Sequence, residues 1–341
     1  MPVAIDIGTR ALRVVQGKAS KQNVAIKKAI IEPLPAGVVQ DGIIREYGGM
    51  EMALKNMLAK YKIKEKPCMI TLNGSHVYSR ELDVPSGKRK MIDDVVTFEV
   101  QSAIGNGKEV AVEYVRSKQR VIDKPEMLHV RASAIQVEYI NNYHKLLKNC
   151  GLKPTALDIH PNALTKAIAN TTINGKVQKE NSGLMLIDMG AVSTTAYVML
   201  NGEIIYSRIL PNGGIDIERY VTTHNEESPS DQQLDISRLD LSLENLRTNE
   251  DLANAVRPLV TSINDGIQRI QQFVAGRLQG SRVEQVYLYG RTSLYHNLDR
   301  TLSEAFGFPA QTITSLGNVK MPADQPVAPF VNAIGALIRH D

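Results

Sequence analysis

Two short stretches of this chain carry residues that could do chemistry together. The first, VAIDIGTRALRVVQG (residues 3–17), places Asp6, Gly8, Thr9 and Arg13 between two apolar runs. The second, LMLIDMGAVSTTAYV (184–198), places Asp188, Gly190, Ser193 and Thr194 in the same kind of setting. A glycine at a strand-to-strand tip lets backbone N–H groups approach an anion without a Cβ in the way. Hydroxyls add donors of the same kind. Aspartates repel phosphate, so they make sense only with a divalent cation between carboxylate and phosphates. Mg²⁺ with its water shell is the natural choice. Arg13 then supplies a permanent positive charge to a phosphate oxygen. Either tip alone is an ordinary turn with a capping acid. Their recurrence half a chain apart implies an internal duplication, with two jaws closing on a triphosphate from opposite sides.

The elements around the tips follow from hydrophobic pattern. Residues 2–7 and 11–17 form a hairpin, and 23–35 is a further extended segment that pairs with it. Met50, Leu54, Met57, Leu58 and Tyr61 lie at helical spacing within 46–62. Segments 68–74 and 76–85 are strand-like and joined by an Asn-Gly turn. An amphipathic helix over 92–104, strands near 110–122 and 127–136, and a helix over 137–149 follow. The block of about 67–150 therefore forms an α+β insertion in the first half. After the second tip, 223–251 is polar and turn-rich. A long helix near 250–277 presents Leu252, Val256, Leu259, Ile263, Ile267, Ile270 and Val274 on one face, with Pro258 predicting a kink or a start. QVYLYG (285–290) is a buried strand with a glycine turn, 294–307 a helix capped by Gly307, and the last segment a helix of small residues.

Composition narrows the class. With 43% hydrophobic and 22% charged residues, the 341-residue chain is an ordinary soluble protein of two domains or two similar halves. A net charge of +4, with no basic run interleaved with aromatics, gives no footprint for nucleic acid. SGKRK (86–90) is a solvated turn before a helix. Cys68 and Cys150 form no metal motif and are expected as free core thiols in a reducing compartment. No signal peptide or membrane-spanning run is present, so a cytoplasmic location is expected, with membrane contact only through a partner.

The order and spacing of these motifs resemble the actin, sugar-kinase and heat-shock-chaperone ATPase superfamily, along nearly the whole chain. Within it, the insertion in the first half resembles FtsA and PilM. Asp6, Gly8 and Thr9 fall on matching positions of the first phosphate loop, with Arg13 where the family has lysine. Asp188, Gly190, Ser193 and Thr194 match the second. TALDIHPNALTKAI (155–168) is similar to the first connecting segment, and FVNAIGALI (330–338), with Ala333 and Gly335 for close helix packing, to the second. The resemblance implies an α/β fold: a duplicated, ribonuclease H-like pair of lobes around a nucleotide cleft. The first lobe spans 1–170 with its insertion at 67–150. The second spans 171–341 with a peripheral subdomain at about 215–280.

Subfamily follows from the ending. FtsA-like proteins continue past the second connecting helix to a membrane-binding amphipathic helix, whereas this chain stops at Asp341. That ending fits PilM, the cytoplasmic actin-like component of type IV pilus machines. The resemblance then implies ATP and Mg²⁺ in the cleft, with Asp6 and Asp188 holding the metal through water. It also implies a PilN-like inner-membrane protein whose N-terminal cytoplasmic peptide docks beside the insertion, with contacts to further machine components. An FtsA-like filament protein and a small-molecule kinase on the same core are the alternatives. Three departures stand out. The adenosine motif is reduced to YGRTS, leaving Gly290 and Arg291. The helix before it carries Gly266 and Ile270 around Arg269 where the family has an acid and a serine. His160, two residues after Asp158, stands where the family places a Glu or Gln to orient water, though beside Pro161 it reads first as a loop residue. Imidazole is a poor acceptor for that task and imidazolium none. Purified protein is therefore expected to hydrolyse ATP very slowly or not at all. Turnover at the ~1–100 s⁻¹ of typical kinases, in a phosphate-release assay, would contradict this.

Overall fold

The structure, a computed structural model, describes residues 1–20, 23–105, 107–117, 126–180, 182–224, 239–277 and 283–339. In chain order the elements are β1 (Val3–Ile7), β2 (Ala11–Ala19), β3 (Val24–Pro33), the short pair β4 (Val39–Gln40) and β5 (Ile43–Ile44), and α1 (Tyr47–Lys60). Then come β6 (Pro67–Leu72), β7 (Tyr78–Pro85), α2 (Arg89–Ile104), β8 (Val110–Arg116), β9 (Met127–Gln136), α3 (Val137–Asn149), β10 (Lys153–Ile159) and α4 (His160–Ile168). The second half contributes β11 (Gly183–Met189), β12 (Ser193–Leu200), β13 (Glu203–Pro211), α5 (Ile215–His224), α6 (Leu243–Thr248) and α7 (Glu250–Arg277). It continues with β14 (Val283–Tyr289), α8 (Leu298–Phe306), β15 (Ala310–Thr312), β16 (Val319–Lys320) and α9 (Val331–Leu337).

The duplication is visible in the sheets. The first runs β10-β6-β1-β2-β3-β16 and the second β13-β12-β11-β14-β15. In each, a three-strand antiparallel meander begins on the strand carrying the aspartate, which also pairs in parallel with a later strand. Thus β1 corresponds to β11, β2 to β12 and β6 to β14. The two-residue period then decides which side chains face each other. Val3, Ile5 and Ile7 of β1 join the core under α1 and α3, while Ala4 faces the other way, into the core shared with α4 and α9. On β11, Met185, Ile187 and Met189 lie under α7, and Leu184 and Leu186 face the same shared core. By that alternation, Asp6 and Asp188 both emerge on the inward faces, toward α4 and α9.

Those two helices are the filling between the sheets. Gly335 of α9 lies so close to α4 that a Cβ there would fall on the carbonyl of Ala163. Ala333 and Gly335 thus allow the close helix contact that their size suggests. On α7, every one of the seven apolar residues at helical spacing is buried. The helix runs through Pro258 rather than starting there, because that long buried face outweighs one missing N–H.

Other local expectations shift. Strands β6 and β7 do not form a hairpin about Asn73-Gly74. β6 lies between β1 and β10, whereas β7 belongs to a separate sheet, β7-β9-β8. That small sheet and α2 share a core of their own, including Val84, Ile92, Val96, Val100 and Val130. Tyr143, Leu146 and Leu147 of α3 instead enter the first lobe's core. The elements with a separate core therefore run from β7 to β9, inside the 67–150 block. β8 ends at Arg116, and the remainder of the expected 110–122 strand lies largely outside the described residues, as does 225–238 of the polar segment. α8 begins at Leu298, not near 294, because Arg291–Leu294 forms a 3₁₀ turn and Asn297 takes a left-handed conformation (φ 59°). Cys68 and Cys150 are free thiols.

The α4–α9 contact sets a stability test. Gly335→Ala is expected to cost about 1–3 kcal/mol through overpacking. Gly276→Ala, on α7 with nothing within 4 Å of the added Cβ, is expected to stabilise by about 0.5–1 kcal/mol. Urea denaturation of both variants checks the contrast, and equal effects would contradict the close approach.

Candidate functional site

Each jaw is built from a strand end and the turn after it. In the first, the Gly8 N–H donates to the Ala11 carbonyl at 3.1 Å, closing the β1–β2 turn. Asp6 pairs in register with Arg13 on β2 and with Thr71 on β6. Arg13 Nη1 donates to Asp6 Oδ2 at 3.4 Å, and its guanidinium lies against Gly8. In the second jaw, Asp188 pairs with Thr195 and Tyr289. The Gly190 carbonyl accepts from the Gly214 N–H at 3.0 Å and the Thr292 hydroxyl at 3.1 Å. Gly290 has φ +87°, and a Cβ there would stand 2.8 Å from Asp188 Oδ1. Only glycine fits that strand-to-turn corner.

His160 joins the jaws. It is the first residue of α4, and Asp158 holds this helix start by accepting from the Ile159 N–H and the Asn162 amide at 2.7 Å and by pairing in charge with the Lys166 ammonium at 2.7 Å. His160 Nε2 is 2.8 Å from Asp6 Oδ1, and Nδ1 is 3.3 Å from Asp188 Oδ2. Asn332, on α9, donates its amide to the same Asp188 oxygen at 2.8 Å. Asp6 is 1% exposed and His160 7%, so the ring and the acid are closed off from water. Burial opposes the charged imidazole, but Asp6 on one side and Asp188 on the other overcome it and push the ring up to about 9. Burial would likewise raise Asp6, yet His160 and Arg13 hold its carboxyl below the usual range. The ring thus lies between two acids that favour its protonated form, and the Asn332 amide is also 3.2 Å from its Nδ1.

Further polar contacts cross the cleft. Asn73 donates to Thr195 Oγ1 at 3.1 Å and lies 3.5 Å from the Tyr197 hydroxyl. Tyr289 donates to Asn332 Oδ1 at 3.5 Å. Thr71 Oγ1 is buried with no hydrogen-bond partner, beside Asp6 in the strand row.

Of the residues expected from sequence, Asp6, Gly8, Thr9 and Arg13 form one tip, and Asp188, Gly190 and Ser193 the other. Thr194 is not part of the cleft. It is fully buried and donates to the Asn212 carbonyl at 3.1 Å, since it lies one residue out of phase with the inward-facing Thr195. Arg291 follows Gly290 but is paired with Glu218 of α5 at 3.0 Å, so it faces that acid rather than standing free for a base. Sequence reasoning passed over His160 as a bridge and missed Asn332, Asn73, Thr195 and Glu218. In two cases the element was legible though the partner was not: His160 opens the first connecting helix, and Asn332 lies within the small-residue FVNAIG stretch.

Mg²⁺ keeps several waters and is held by one or two carboxylates plus phosphates. Asp6 and Asp188, facing each other at glycine-cornered tips, suit that donor set. Among the described residues, no group of three or more His, Cys, Asp or Glu side chains is gathered to hold an ion directly, so water and phosphate would complete the shell.

The paired sheets, the connecting helices between them and the acids at matched strand ends define an actin-like ATPase fold. A solved chain of a PilM–PilN type IV pilus biogenesis complex superposes with a TM-score of 0.76 at 20% identity, covering 98% of this chain and 97% of that one. The ethanolamine utilization protein EutJ from Carboxydothermus hydrogenoformans aligns with a TM-score of 0.51 at 15% identity, over 98% of this chain and 88% of its own. In sequence, the cell division protein FtsA of Neisseria meningitidis serogroup B is 22% identical over 255 residues, or 69% of this chain. The match spans 57% of that FtsA's length. The profile of the type IV pilus assembly protein PilM family matches residues 4–327, and the chain belongs to that family.

The bridge makes stability depend on pH. His160 is raised in the folded state, so its contribution is complete below about 6.5 and lost as pH rises through about 9. Asp6 is lowered, so its contribution is present above 3.8 and lost as pH falls below it. Unfolding free energy should therefore drop on the order of 3 kcal/mol between pH 6.5 and 9.5, and His160→Gln should flatten that limb. An unchanged slope in the variant would contradict the imidazolium bridge.

Proposed function

We propose that this chain is a cytoplasmic actin-like adaptor of a type IV pilus assembly machine, lying on the inner face of the cytoplasmic membrane through a partner. It binds ATP with Mg²⁺ between the lobes and takes the N-terminal cytoplasmic peptide of a PilN-like inner-membrane protein beside the inserted sheet. The observation that carries the nucleotide half is the placement of Asp6 and Asp188 at equivalent strand ends, joined across one cleft. Family membership and the likeness to a PilM solved with PilN support the partner half. Among the described residues, no helix is long and apolar enough to cross a membrane, which accords with attachment by a partner.

Bound Mg²⁺ would neutralise phosphate charge and orient the triphosphate. Asp6 and Asp188 would hold its waters, Thr9 and Ser193 would donate hydroxyls to phosphate oxygens, and Arg13 would add its cationic charge. Gly290 leaves room at the Asp188 corner, and Arg291, fixed by Glu218, borders the adenosine side. His160 stands where the family places a Glu or Gln to orient water, so in this reading nucleotide acts as a ligand that sets the arrangement of the lobes.

Isothermal titration tests both halves. Asp188→Asn is expected to weaken Mg-ATP binding at least tenfold while leaving a PilN-type N-terminal peptide bound. Retained ATP affinity in this variant would sink the clamp. Failure of the peptide to bind any form of the protein would sink the adaptor.

A further inference from the structure

His160 occupies the place where a cation between the two acids would act. Its two ring nitrogens reach Asp6 Oδ1 and Asp188 Oδ2, and Arg13 and Asn332 engage the other oxygen of Asp6 and the same oxygen of Asp188. Water molecules of a hydrated Mg²⁺ would need to donate into those same carboxylate oxygens. A carboxylate oxygen offers about two lone-pair positions, and Asp188 Oδ2 already has the Asn332 amide at 2.8 Å and His160 Nδ1 at 3.3 Å. We infer that His160 is an internal competitor of the metal: Mg-nucleotide enters only as the ring gives up its bridge between the lobes. The inference rests on the nucleotide reading above and adds to it how affinity is set.

The ring has room to matter in both directions. Releasing it frees the acids for metal-bound water and breaks one of the contacts that hold β1 and β11 together through α4. The Asn73–Thr195 and Asn332–Asp188 bonds remain to keep the lobes in register. A residue that merely propped the cleft open or shut would alter nucleotide binding alike with and without metal. A competitor alters it only when metal is present. His160 is thus a residue that sets the affinity for metal-bound nucleotide without touching the reacting atoms.

The experiment is isothermal titration of the non-hydrolysed analogue AMPPNP, in Mg²⁺ and in EDTA, into the wild-type chain and His160→Gln. Glutamine nearly matches the ring in volume but carries no positive charge to offset the acids. His160→Ala serves as a second variant, with thermal unfolding to show that each is folded. Mg-AMPPNP should bind the variants at least tenfold more tightly than the wild type, while affinity in EDTA stays the same or falls. Equal changes in both buffers, or none, would overturn the inference. Wild-type protein with ring ¹⁵N-labelled histidine gives a second readout that needs no variant. On saturation with Mg-AMPPNP the His160 ring signals should shift as the bridge breaks, and a bound complex with unmoved signals would overturn the inference. Binding of nucleotide by neither wild type nor variants, in either buffer, would overturn the nucleotide reading itself and the inference with it.

Discussion

Two carboxylates at equivalent ends of duplicated strands must be carried on the inward faces of both sheets, where little water reaches. Burial of unpaired charge costs several kcal/mol per ion, so such acids need positive partners within hydrogen-bond distance. His160 and Arg13 meet that demand, and the rest of the cleft is arranged around them. Asp158 and Lys166 fix the start of α4 so that the imidazole points between the acids, and Gly335 lets α9 approach closely enough for Asn332 to join. Metal-free neutrality is thus built from side chains, and a metal-bound nucleotide has to replace some of them.

Strand periodicity explains why the two tips meet. The alternation that buries Ile5 and Ile7 under α1 and α3 turns Asp6 toward α4, and the same alternation on β11 turns Asp188 inward. Because each meander has the same strand order, one residue of register decides membership. Thr195 lies in phase and reaches Asn73 across the cleft, while Thr194, next to it, belongs to the far side.

This also divides what could be read from sequence from what could not. The tips were legible because each is a local pattern of strand, acid, glycine and strand, and the repeat made the pair meaningful. The long face of α7 was legible for the same reason, since helical spacing survives any tertiary context. His160, Asn332 and Asn73 were not, because their partners lie 154, 144 and 122 residues away. Nothing in local spacing reports such contacts. Asn73-Gly74 shows the hazard: its dipeptide is a turn signal, yet it is the passage from the main sheet to the inserted one. Arg291 and Glu218 illustrate another limit, since an ion pair between a turn and a separate helix leaves no periodic trace.

The inserted elements join the main body at this passage and also touch the second lobe, where Ser117 donates to Glu203 at 2.7 Å. Even so, the claim on which the rest depends is that His160 couples the two jaws. A double-mutant cycle on unfolding free energy, using Asp188→Asn, His160→Gln and the pair, measures that coupling directly. An interaction energy of about 1–3 kcal/mol is expected for members of one buried network. Additivity within about 0.5 kcal/mol would contradict a bridge across the cleft.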